Sequence, residues 1–427
     1  MVAIAVDVSK AAFYQDLDMK TKILCYKMPP SVFFDFFILH RMAKSLRFRN
    51  SVFRLYISTL YIKKHTMFTQ HVRYITFIFL LFGNIAFAQS NTDSLMTVRG
   101  FCIAAPQSAA QVDRFVQFIN EELATRGINT LVLRVDFNYQ FETHPELRDS
   151  NALSKEDVQK LVTACRTHKI RLIPQINLLG HQSWASKTSN LLRVYPEFDE
   201  TPHVTMPEKY VWPNSDGLYC KSYCPLHEGV HKVVFDLMDE ICDAFATDAF
   251  HAGMDEVFYI ADDKCPRCSG RDKAELFAGE VNKIQNHLAL KNRQLWIWGD
   301  RLLDGKITGI GMWEGSYNNT HRAIDMVSKD VMICDWHYEK NIQTAVYFAM
   351  KGFNVVTCPW RTPSVAMAQA ADFVRFRAAA TPKMKERYQG MMQTVWSGVA
   401  AFLEEFYEGK EGNTTANCFK ILFKKIE

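Results

Sequence analysis

From residue 95 onward the chain alternates between short apolar runs and longer amphipathic segments. The apolar runs are rich in β-branched and aromatic residues, which is typical of buried strands. They occupy residues 99–105, 129–137, 170–179, 249–256, 294–300, 331–338, 353–360 and 391–398. The segments between them carry apolar residues at helical spacing, most clearly in 108–127, 154–169, 229–246 and 273–292. The segment that starts at Ser154 opens with Ser-x-x-Asp, a pattern that predicts a capped helix N-terminus.

This order of elements predicts a parallel sheet, because strands that are joined through helices run in the same direction. Eight strand–helix units favour a closed barrel over an open, doubly wound sheet. The sequence has no G-x-G-x-x-G after a predicted strand, which argues against a dinucleotide-binding fold. We therefore expect the α/β class with a single (β/α)8 TIM barrel, whose chemistry collects at the C-terminal ends of the strands.

The first 88 residues differ from the rest of the chain. Residues 1–66 contain no Gly, Glu or Trp, and their apolar residues show no sustained period. Residues 67–88 have the layout of a secretory signal peptide, with an early Arg73, a short apolar run, and Ala86 and Ala88 at the spacing of a cleavage site. The apolar run is shorter than the roughly 20 residues that a transmembrane helix needs, so no stable membrane anchor is expected.

We therefore predict three parts: an upstream extension over 1–66, a signal peptide over 67–88 and one barrel domain over 89–427. The extension is interpreted either as a misplaced start of translation, with Met67 as the true start, or as a segment that is removed. A cleaved signal implies that a bacterial cell exports the protein, to the periplasm or to the medium.

Export changes how the charge of the chain is interpreted. The whole chain has a formal net charge of +4. Residues 1–88 hold 12 of the 50 Lys and Arg residues and 4 of the 46 Asp and Glu residues, so the remainder carries a net charge of about −4. This balance gives no indication of a nucleic-acid partner.

Polar and aromatic side chains recur at the predicted strand ends. One such residue alone is more often a helix cap or a core residue. Here, however, several surround one predicted mouth of the barrel: Asp136, His181, Asp255, Glu256, Trp298, Asp335 and Trp396. Aromatic faces that stack on sugars, together with carboxylates that bind hydroxyls and protonate glycosidic oxygens, are typical of a carbohydrate site.

Asp255 and Glu256 are adjacent at the end of the apolar run 249–256. Neighbouring side chains of a strand point to opposite faces, so two adjacent acids converge on one ligand only where the strand ends. Their closeness and partial burial are expected to raise the pKa of Glu256 and keep it protonated. The alternative is a solvated strand end at which Asp255 caps the next helix.

The run HAGMDE (251–256) resembles the H-x-G-G-D-E signature of glycoside hydrolase family 20, the β-N-acetylhexosaminidases. The resemblance extends over residues 97–400. IPQINLLGH (173–181) is similar to the family's P-E-I-D-x-P-G-H, and WIWGD (296–300) and MMQTVWSG (391–398) are similar to its Trp-bearing strands. The resemblance implies the same barrel, with residues 89–427 as a glycoside hydrolase catalytic domain.

The resemblance also implies a reaction. The family hydrolyses 2-acetamido-2-deoxy-β-hexosides (GlcNAc or GalNAc) with retention, through an oxazolinium ion formed by the substrate's own acetamido group. By this likeness Glu256 would be the general acid and then the base, Asp255 would hold the acetamido group, and His181 would assist the pair. No cofactor would be required for catalysis, and the partner would be a glycan that contains an N-acetylhexosamine.

The same likeness suggests which residues contact the sugar. Trp298, Trp313 and Trp396 would wall the pocket, and Asp136 would lie at the substrate. Asp335 or Tyr338 would contact the acetamido carbonyl or a hydroxyl.

Several positions depart from the family pattern. Gln175 and Asn177 replace the acids of P-E-I-D, Met254 replaces the second Gly of the signature, and two further departures affect the grip on the sugar. The family's Arg that binds sugar hydroxyls falls here on Gln107, and the acid that follows the last strand's Trp falls on Gly398. Losing a charge-assisted hydrogen bond costs about 1.5–3 kcal/mol, so the grip on a terminal sugar is predicted to differ. Two other hypotheses therefore stay open: a glycosidase that does not use the acetamido group, and a degenerate barrel that binds carbohydrate without cleaving it.

Four cysteines lie in the loops before and after the run that holds the acid pair. YCKSYCP contributes Cys220 and Cys224, and DDKCPRCSG contributes Cys265 and Cys268. C-x-x-C in this context has the form of a zinc knuckle, and C-x3-C could complete a four-thiolate set. Export favours disulfides instead. Structural zinc, disulfides and free thiols are all kept as interpretations.

Overall fold

The computed structural model describes residues 96–211, 220–409, 412 and 414–425. The predicted upstream extension, the signal peptide and the cleavage after Ala88 lie outside these residues. No helix in the described ranges is long and apolar enough to cross a membrane.

The strands of the described ranges form a barrel and one small hairpin. In chain order they are β1 (Val98–Ala104), β2 (Thr130–Arg134), β3 (Arg171–Leu178), β4 (Ser183–Trp184), β5 (Lys187–Thr188), β6 (Ala249–Gly253), β7 (Gln294–Trp298), β8 (Met332–Trp336), β9 (Asn354–Cys358) and β10 (Tyr388–Thr394). The barrel order is β1–β2–β3–β6–β7–β8–β9–β10, closed by parallel pairing of β10 with β1. Strands β4 and β5 pair antiparallel beside it. The predicted (β/α)8 TIM barrel is therefore confirmed.

Helices follow the barrel strands and pack around them. The α-helices are α1 (Ala109–Phe118), α2 (Lys155–Thr167), α3 (Asn190–Val194), α4 (Val230–Ala244), α5 (Lys273–Ala289), α6 (Gly305–Thr308), α7 (Thr344–Met350), α8 (Pro363–Ala379), α9 (Pro382–Lys385), α10 (Val399–Glu408) and α11 (Thr415–Leu422). A π-helical turn (Ile119–Leu123) and a 3-10 turn (Ala124–Arg126) extend α1, and further 3-10 turns occupy Pro145–Leu147, Pro196–Phe198, Asp300–Leu302 and Thr320–Asp325.

Side-chain caps begin several helices, among them α2 and α5. Ser154 and Asp157 form a complete capping box at the start of α2, as the Ser-x-x-Asp pattern predicted. At α5 the Asp272 carboxylate accepts hydrogen bonds from the backbone N–H groups of Ala274 and Glu275. This second cap ends the long loop that leads from β6 into α5.

Strand residues alternate between the helix layer and the barrel interior. On β8, Ile333 packs with the helices, whereas Cys334 and Trp336 belong to the interior cluster. On β7, Trp296 and Trp298 both face the interior and are almost fully buried. Burying a large apolar side chain stabilises the fold by on the order of 1.5–3 kcal/mol. The interior is therefore a packed core that forms the floor of the C-terminal mouth.

The chain takes a left-handed backbone at several strand exits. Non-glycine residues with positive φ include Asp136 (48°), His181 (54°), Met254 (66°) and Glu256 (50°). Such conformations are unfavourable for residues with a Cβ and tend to gather at functional sites. All four follow the C-terminal ends of β2, β3 or β6, the end of the barrel at which the sequence predicted the site.

Candidate active site

The acid pair follows β6 directly. The strand ends at Gly253, and the next residues leave the pleat because Gly253, Met254 and Glu256 are all left-handed. Gly253 is required at its position, since a Cβ there would lie 2.4 Å from Asn177 Oδ1. Both acids therefore turn towards one mouth instead of pointing to opposite faces of a strand.

His181 brings the two carboxylates together. Its Nε2 lies 3.1 Å from Asp255 Oδ2 and 3.4 Å from Glu256 Oε2. His181 stands in the β3–β4 loop, where Gly180 allows close approach because a Cβ at that position would lie 2.6 Å from the Asp255 carbonyl oxygen. The three residues named as catalytic candidates thus form one contact group.

The surroundings of the pair give the two acids opposite pKa shifts. Burial raises the pKa of Glu256 to about 7, and the neighbouring carboxylates of Asp255 and Asp300 add to the rise. Burial acts on Asp255 in the same direction, but the charge and the hydrogen bond of His181 outweigh it and lower the pKa of Asp255. The pKa of His181 is raised, because Asp255 and the nearby Cys220 outweigh its burial. Near neutral pH, Asp255 is ionised while Glu256 can hold a proton.

Asp300 positions the backbone of Glu256. Asp300 Oδ2 accepts a hydrogen bond from the Glu256 N–H at 3.0 Å, and Arg301 Nε lies 2.6 Å from the same carboxylate. Trp336 Nε1 donates to the other oxygen at 3.1 Å. Glu256 is therefore anchored by its main chain, and its carboxyl group stays available to a ligand.

One oxygen of the pair has no protein partner. Within the described residues, Asp255 Oδ1 is buried and accepts no hydrogen bond. A buried carboxylate oxygen without a donor is costly unless a ligand supplies one. This oxygen is therefore a ready acceptor for an N–H or O–H group that enters the mouth.

Aromatic rings line the mouth beside the acids. Trp396 Nε1 donates to the Tyr338 hydroxyl at 2.9 Å, and the Trp298 ring lies 5.8 Å from that of Trp396. Trp336 and Trp360 flank Tyr338 with ring centroids at 4.9 and 5.4 Å. The structure thus gathers Trp298, Tyr338 and Trp396 as predicted, together with Trp336 and Trp360, two strand-end residues to which the sequence assigned no substrate contact.

Two further rings extend this wall. Trp313, another predicted contact, packs against the interior cluster and meets Phe258 edge-on at 5.0 Å. Trp184 of the β4–β5 hairpin stacks on His181 at 5.7 Å and is 59 % exposed. An exposed Trp next to an acid pair is a natural platform for a sugar ring.

Arg134 also lies in the mouth. It ends β2, its guanidinium carbon lies 4.6 Å from the Trp396 ring centroid, and its Nη2 donates to the Val395 carbonyl at 2.9 Å. Its Nε is buried and has no hydrogen-bond partner within the described residues. Nearby Asp136, a predicted substrate residue, accepts hydrogen bonds from Asn177 at 2.8 and 3.1 Å. The mouth therefore holds a cation that the sequence reasoning did not single out.

Two predicted contacts lie elsewhere. Asp335 belongs to the face of β8 that points to the helices, and its carboxylate accepts from the Thr344 hydroxyl at 2.9 and 2.8 Å. Strand parity explains the difference, because the interior-facing neighbour is Trp336. Gln107 is exposed at the approach to α1, where its backbone N–H donates to Gln111 Oε1. Neither side chain reaches the acid pair in this arrangement.

The cysteines also divide differently from the prediction. Cys220 lies at the acid pair, with its Sγ 3.5 Å from His181 Nδ1 and 3.6 Å from Glu256 Oε2. Cys224, Cys265 and Cys268 form a separate group whose fourth member is Glu200. The predicted four-thiolate set is therefore wrong at Cys220. Cys220 and Cys224 are four positions apart, and the chain places the Cys220 thiol at the acid pair and not beside the other three thiols. All ten cysteines of the described ranges are free thiols.

The fold and the site together define a (β/α)8 barrel of the carbohydrate-hydrolase type, with a carboxylate pair and an aromatic wall at its C-terminal mouth. The family model described as "Glycosyl hydrolase family 20, catalytic domain" matches residues 132–402. The chain belongs to glycosyl hydrolase family 20.

Similar proteins agree with this assignment. A β-hexosaminidase of Vibrio furnissii is 24 % identical over 249 residues, covering 58 % of this chain and 35 % of the relative. A lacto-N-biosidase of Bifidobacterium bifidum is 23 % identical over 223 residues, covering 49 % of this chain and 18 % of the relative. This chain thus spans only about a third or less of the length of these relatives.

The fold also matches a solved structure. The crystal structure of a β-N-acetylhexosaminidase superposes with a TM-score of 0.55 at 17 % identity, covering 76 % of this chain and 71 % of that protein. At this identity the match supports the barrel architecture.

Proposed function

We propose that this protein is an exported, retaining glycoside hydrolase that cleaves 2-acetamido-2-deoxy-β-hexosides with the substrate's acetamido group as the nucleophile. The observation that carries the proposal is the arrangement around His181. An ionised Asp255 with one open oxygen lies beside Glu256, whose pKa of about 7 suits a proton donor. Membership of family 20 supports the same reaction.

In the first step, Glu256 transfers its proton to the glycosidic oxygen as the bond from that oxygen to the anomeric carbon breaks. The acetamido carbonyl oxygen forms a new bond to the anomeric carbon, which gives an oxazolinium ion. Asp255 Oδ1 accepts the hydrogen bond of the acetamido N–H and balances the positive charge that develops there. His181 contacts the other carboxylate oxygen of Asp255, Oδ2, and so keeps Asp255 ionised and oriented.

In the second step, the Glu256 carboxylate takes a proton from a water molecule. The water oxygen bonds to the anomeric carbon on the face opposite the oxazoline, and the ring opens to restore the acetamido group. Two inversions give retention, and Glu256 is protonated again for the next cycle. This route requires no cofactor.

The aromatic wall and Arg134 supply the contacts with the sugar. Trp298, Tyr338 and Trp396 offer faces and edges for the pyranose and its acetamido methyl group. Arg134, held over Trp396, offers charged donors to sugar hydroxyls. Arg134 would thus bind some of the hydroxyls that the family's Arg binds, whose place in this sequence is taken by Gln107.

Turnover assays with nitrophenyl glycosides test the proposal. We expect hydrolysis of nitrophenyl β-N-acetylglucosaminide or β-N-acetylgalactosaminide, with inhibition by a thiazoline that mimics the oxazolinium ion. Glu256→Gln, which keeps the size of the side chain but holds no acidic proton, should lower kcat by about 10²–10⁴-fold. Asp255→Asn should lower it by a similar factor while Glu256 stays intact.

The same assays separate the alternatives. Hydrolysis of plain nitrophenyl glucosides without thiazoline inhibition would contradict acetamido participation and support a glycosidase of changed specificity. Glycan binding without turnover of any substrate would indicate a degenerate carbohydrate-binding barrel.

Export rests on the signal-like segment 67–88. Amino-terminal sequencing of the protein recovered from outside the cytoplasm should give a start at Gln89. A start upstream of Gln89 would contradict this part of the proposal.

A further inference from the structure

A buried group of three thiols and one carboxylate is separate from the acid pair. It consists of Glu200, Cys224, Cys265 and Cys268, whose potential ligand atoms all lie within 4.8 Å of one another. None of the four residues is more than 1 % exposed. They come from three places in the chain: the segment after Pro196–Phe198, the loop before α4, and the loop between β6 and α5.

The distances within this group fit a tetrahedral metal site. Cys224 Sγ and Cys265 Sγ are 3.7 Å apart, and Cys265 Sγ lies 3.4 Å from Glu200 Oε2. Zn–S bonds of about 2.3 Å and Zn–O bonds of about 2.1 Å at tetrahedral angles place ligand atoms about 3.6–3.8 Å apart. Cys268 Sγ lies closer to the carboxylate, at 2.8 and 3.0 Å from its two oxygens. One ion at the centre would therefore reach all four side chains with little movement.

Glu200 is a buried carboxylate without a cationic partner among the described residues. Within the described residues, no Lys, Arg or His makes an ion pair with this fully buried carboxylate. Its protein partners are the Asp262 N–H at 2.9 Å and the thiols of the group. A buried carboxylate is costly unless a positive partner or a metal compensates it. Glu200 thus provides an indication of a ligand that is independent of the cysteine spacing.

Backbone N–H groups and one guanidinium lie close to the sulfur atoms of the group. The N–H groups of Arg267 and Cys268 lie near the Cys265 sulfur, and the N–H of Leu226 lies near that of Cys224. The Arg267 guanidinium also lies against Cys224, and its Nη2 donates to the Asp199 carbonyl at 3.1 Å. Outer hydrogen bonds of this kind orient metal thiolates and reduce their charge.

We propose that Glu200, Cys224, Cys265 and Cys268 bind one structural zinc ion. Zinc takes four ligands of the thiolate and carboxylate types in closed tetrahedral sites. A single disulfide would use two of the three thiols and would leave the buried Glu200 without a cationic partner. A divalent cation uses all four, which is why we favour the metal over the disulfide.

The ion would join loops that carry the catalytic residues. Cys224 follows Cys220, which contacts His181 and Glu256, by four residues, and Cys265 follows Glu256 in the loop after β6. Glu200 ties the third segment to the same point, because its N–H donates to the Ser222 carbonyl at 3.0 Å. Zinc would therefore hold together loops that also carry residues of the candidate active site.

Metal analysis of the full chain tests this inference. Protein purified without chelators from zinc-supplemented cells should contain about one equivalent of zinc per chain. Thiol titration of the denatured protein should find every cysteine reduced and should release the zinc. With the zinc replaced by cobalt(II), a thiolate-to-cobalt charge-transfer band and intense visible bands of tetrahedral cobalt should appear.

Matched variants locate the ion. Cys265→Ser and Glu200→Gln should lose most of the zinc, whereas Cys165→Ala should keep it. Cys165 is a suitable control because it is a buried thiol of α2 outside the group. If the ligand variants fail to fold, the wild-type zinc content and thiol count still decide.

Two results would overturn the inference. Less than about 0.1 equivalent of zinc in the wild type would exclude a resident ion, and two thiols fewer than expected would identify a disulfide. These measurements need no substrate, so they stand whether or not the protein hydrolyses glycosides.

Discussion

At the scale of single residues, the proposed mechanism requires two neighbouring carboxyl groups that differ in protonation. Burial raises the pKa of Glu256 to about 7, while His181 holds the pKa of Asp255 below its ordinary value. This difference could be anticipated in part from the sequence, since adjacent acids at a buried strand end repel one another. The position of Cys220 could not be anticipated, because its contact with His181 and Glu256 depends on the conformation of the loop before α4.

The pH dependence of kcat/KM follows from these two groups. Glu256 must be protonated in the free enzyme, so kcat/KM should fall as pH rises through about 7. Asp255 must be ionised and has a lowered pKa, so activity should persist well into the acid range. The measurement is a pH profile of kcat/KM on a nitrophenyl N-acetylhexosaminide. A profile that keeps rising above pH 8 would contradict the assignment of Glu256 as the acid.

Arg134 is predicted to bind the substrate. Arg134→Gln should raise KM and lower kcat/KM by about 10- to 100-fold, the equivalent of losing one charge-assisted hydrogen bond. Arg171→Gln is the matched control, because Arg171 also lies over a Trp ring, that of Trp296 at 5.8 Å, but at the first residue of β3. Equal kinetic losses in both variants at equal melting temperatures would contradict a substrate contact for Arg134.

At the scale of elements, the site depends on strand exits that leave the regular pleat. The sequence predicted where these exits lie, since the apolar runs end close to the observed strands. It could not predict which face each residue takes, because a shift of one position reverses the face. Asp335 shows this directly: it bonds to Thr344 in the helix layer, while Trp336 next to it faces the mouth. Glu200 was missed because no local motif links it to the distant cysteines.

Two glycines test the importance of the β6 exit. Gly253→Ala should destabilise the protein by at least about 1 kcal/mol, since Gly253 has φ of +66° and a Cβ there would lie 2.4 Å from Asn177 Oδ1. It should also lower activity, because it displaces the segment that carries Asp255. Gly279→Ala is the control: a Cβ on this exposed residue of α5 meets nothing within 4 Å.

For the control we expect stabilisation of about 0.5–1 kcal/mol, because Ala favours the helix more than Gly does. Urea unfolding of both variants gives the comparison. An unchanged stability and activity of Gly253→Ala would show that the exit tolerates an ordinary backbone.

At the scale of the whole molecule, the barrel was the most predictable feature. Eight apolar runs separated by amphipathic segments leave few ways to bury every run, and a closed parallel barrel is one of them. What the pattern cannot specify is how side chains from β2, β3, β6 and β10 meet at one mouth, since these contacts depend on barrel closure and loop conformation. The family signature located the acid pair. The structure added Arg134 at the mouth and showed that Asp300, itself bonded to Trp336, holds the backbone of Glu256.

The most direct test of acetamido participation is a series of substrates whose N-acetyl group carries zero to three fluorines. Each fluorine withdraws electrons from the carbonyl oxygen that would attack the anomeric carbon. If the acetamido oxygen attacks, kcat/KM should fall with every fluorine, by at least about 100-fold over the series, or about 2.7 kcal/mol in the barrier. Rates that stay level across the series would show that this oxygen does not attack, and would contradict the proposed role of Asp255.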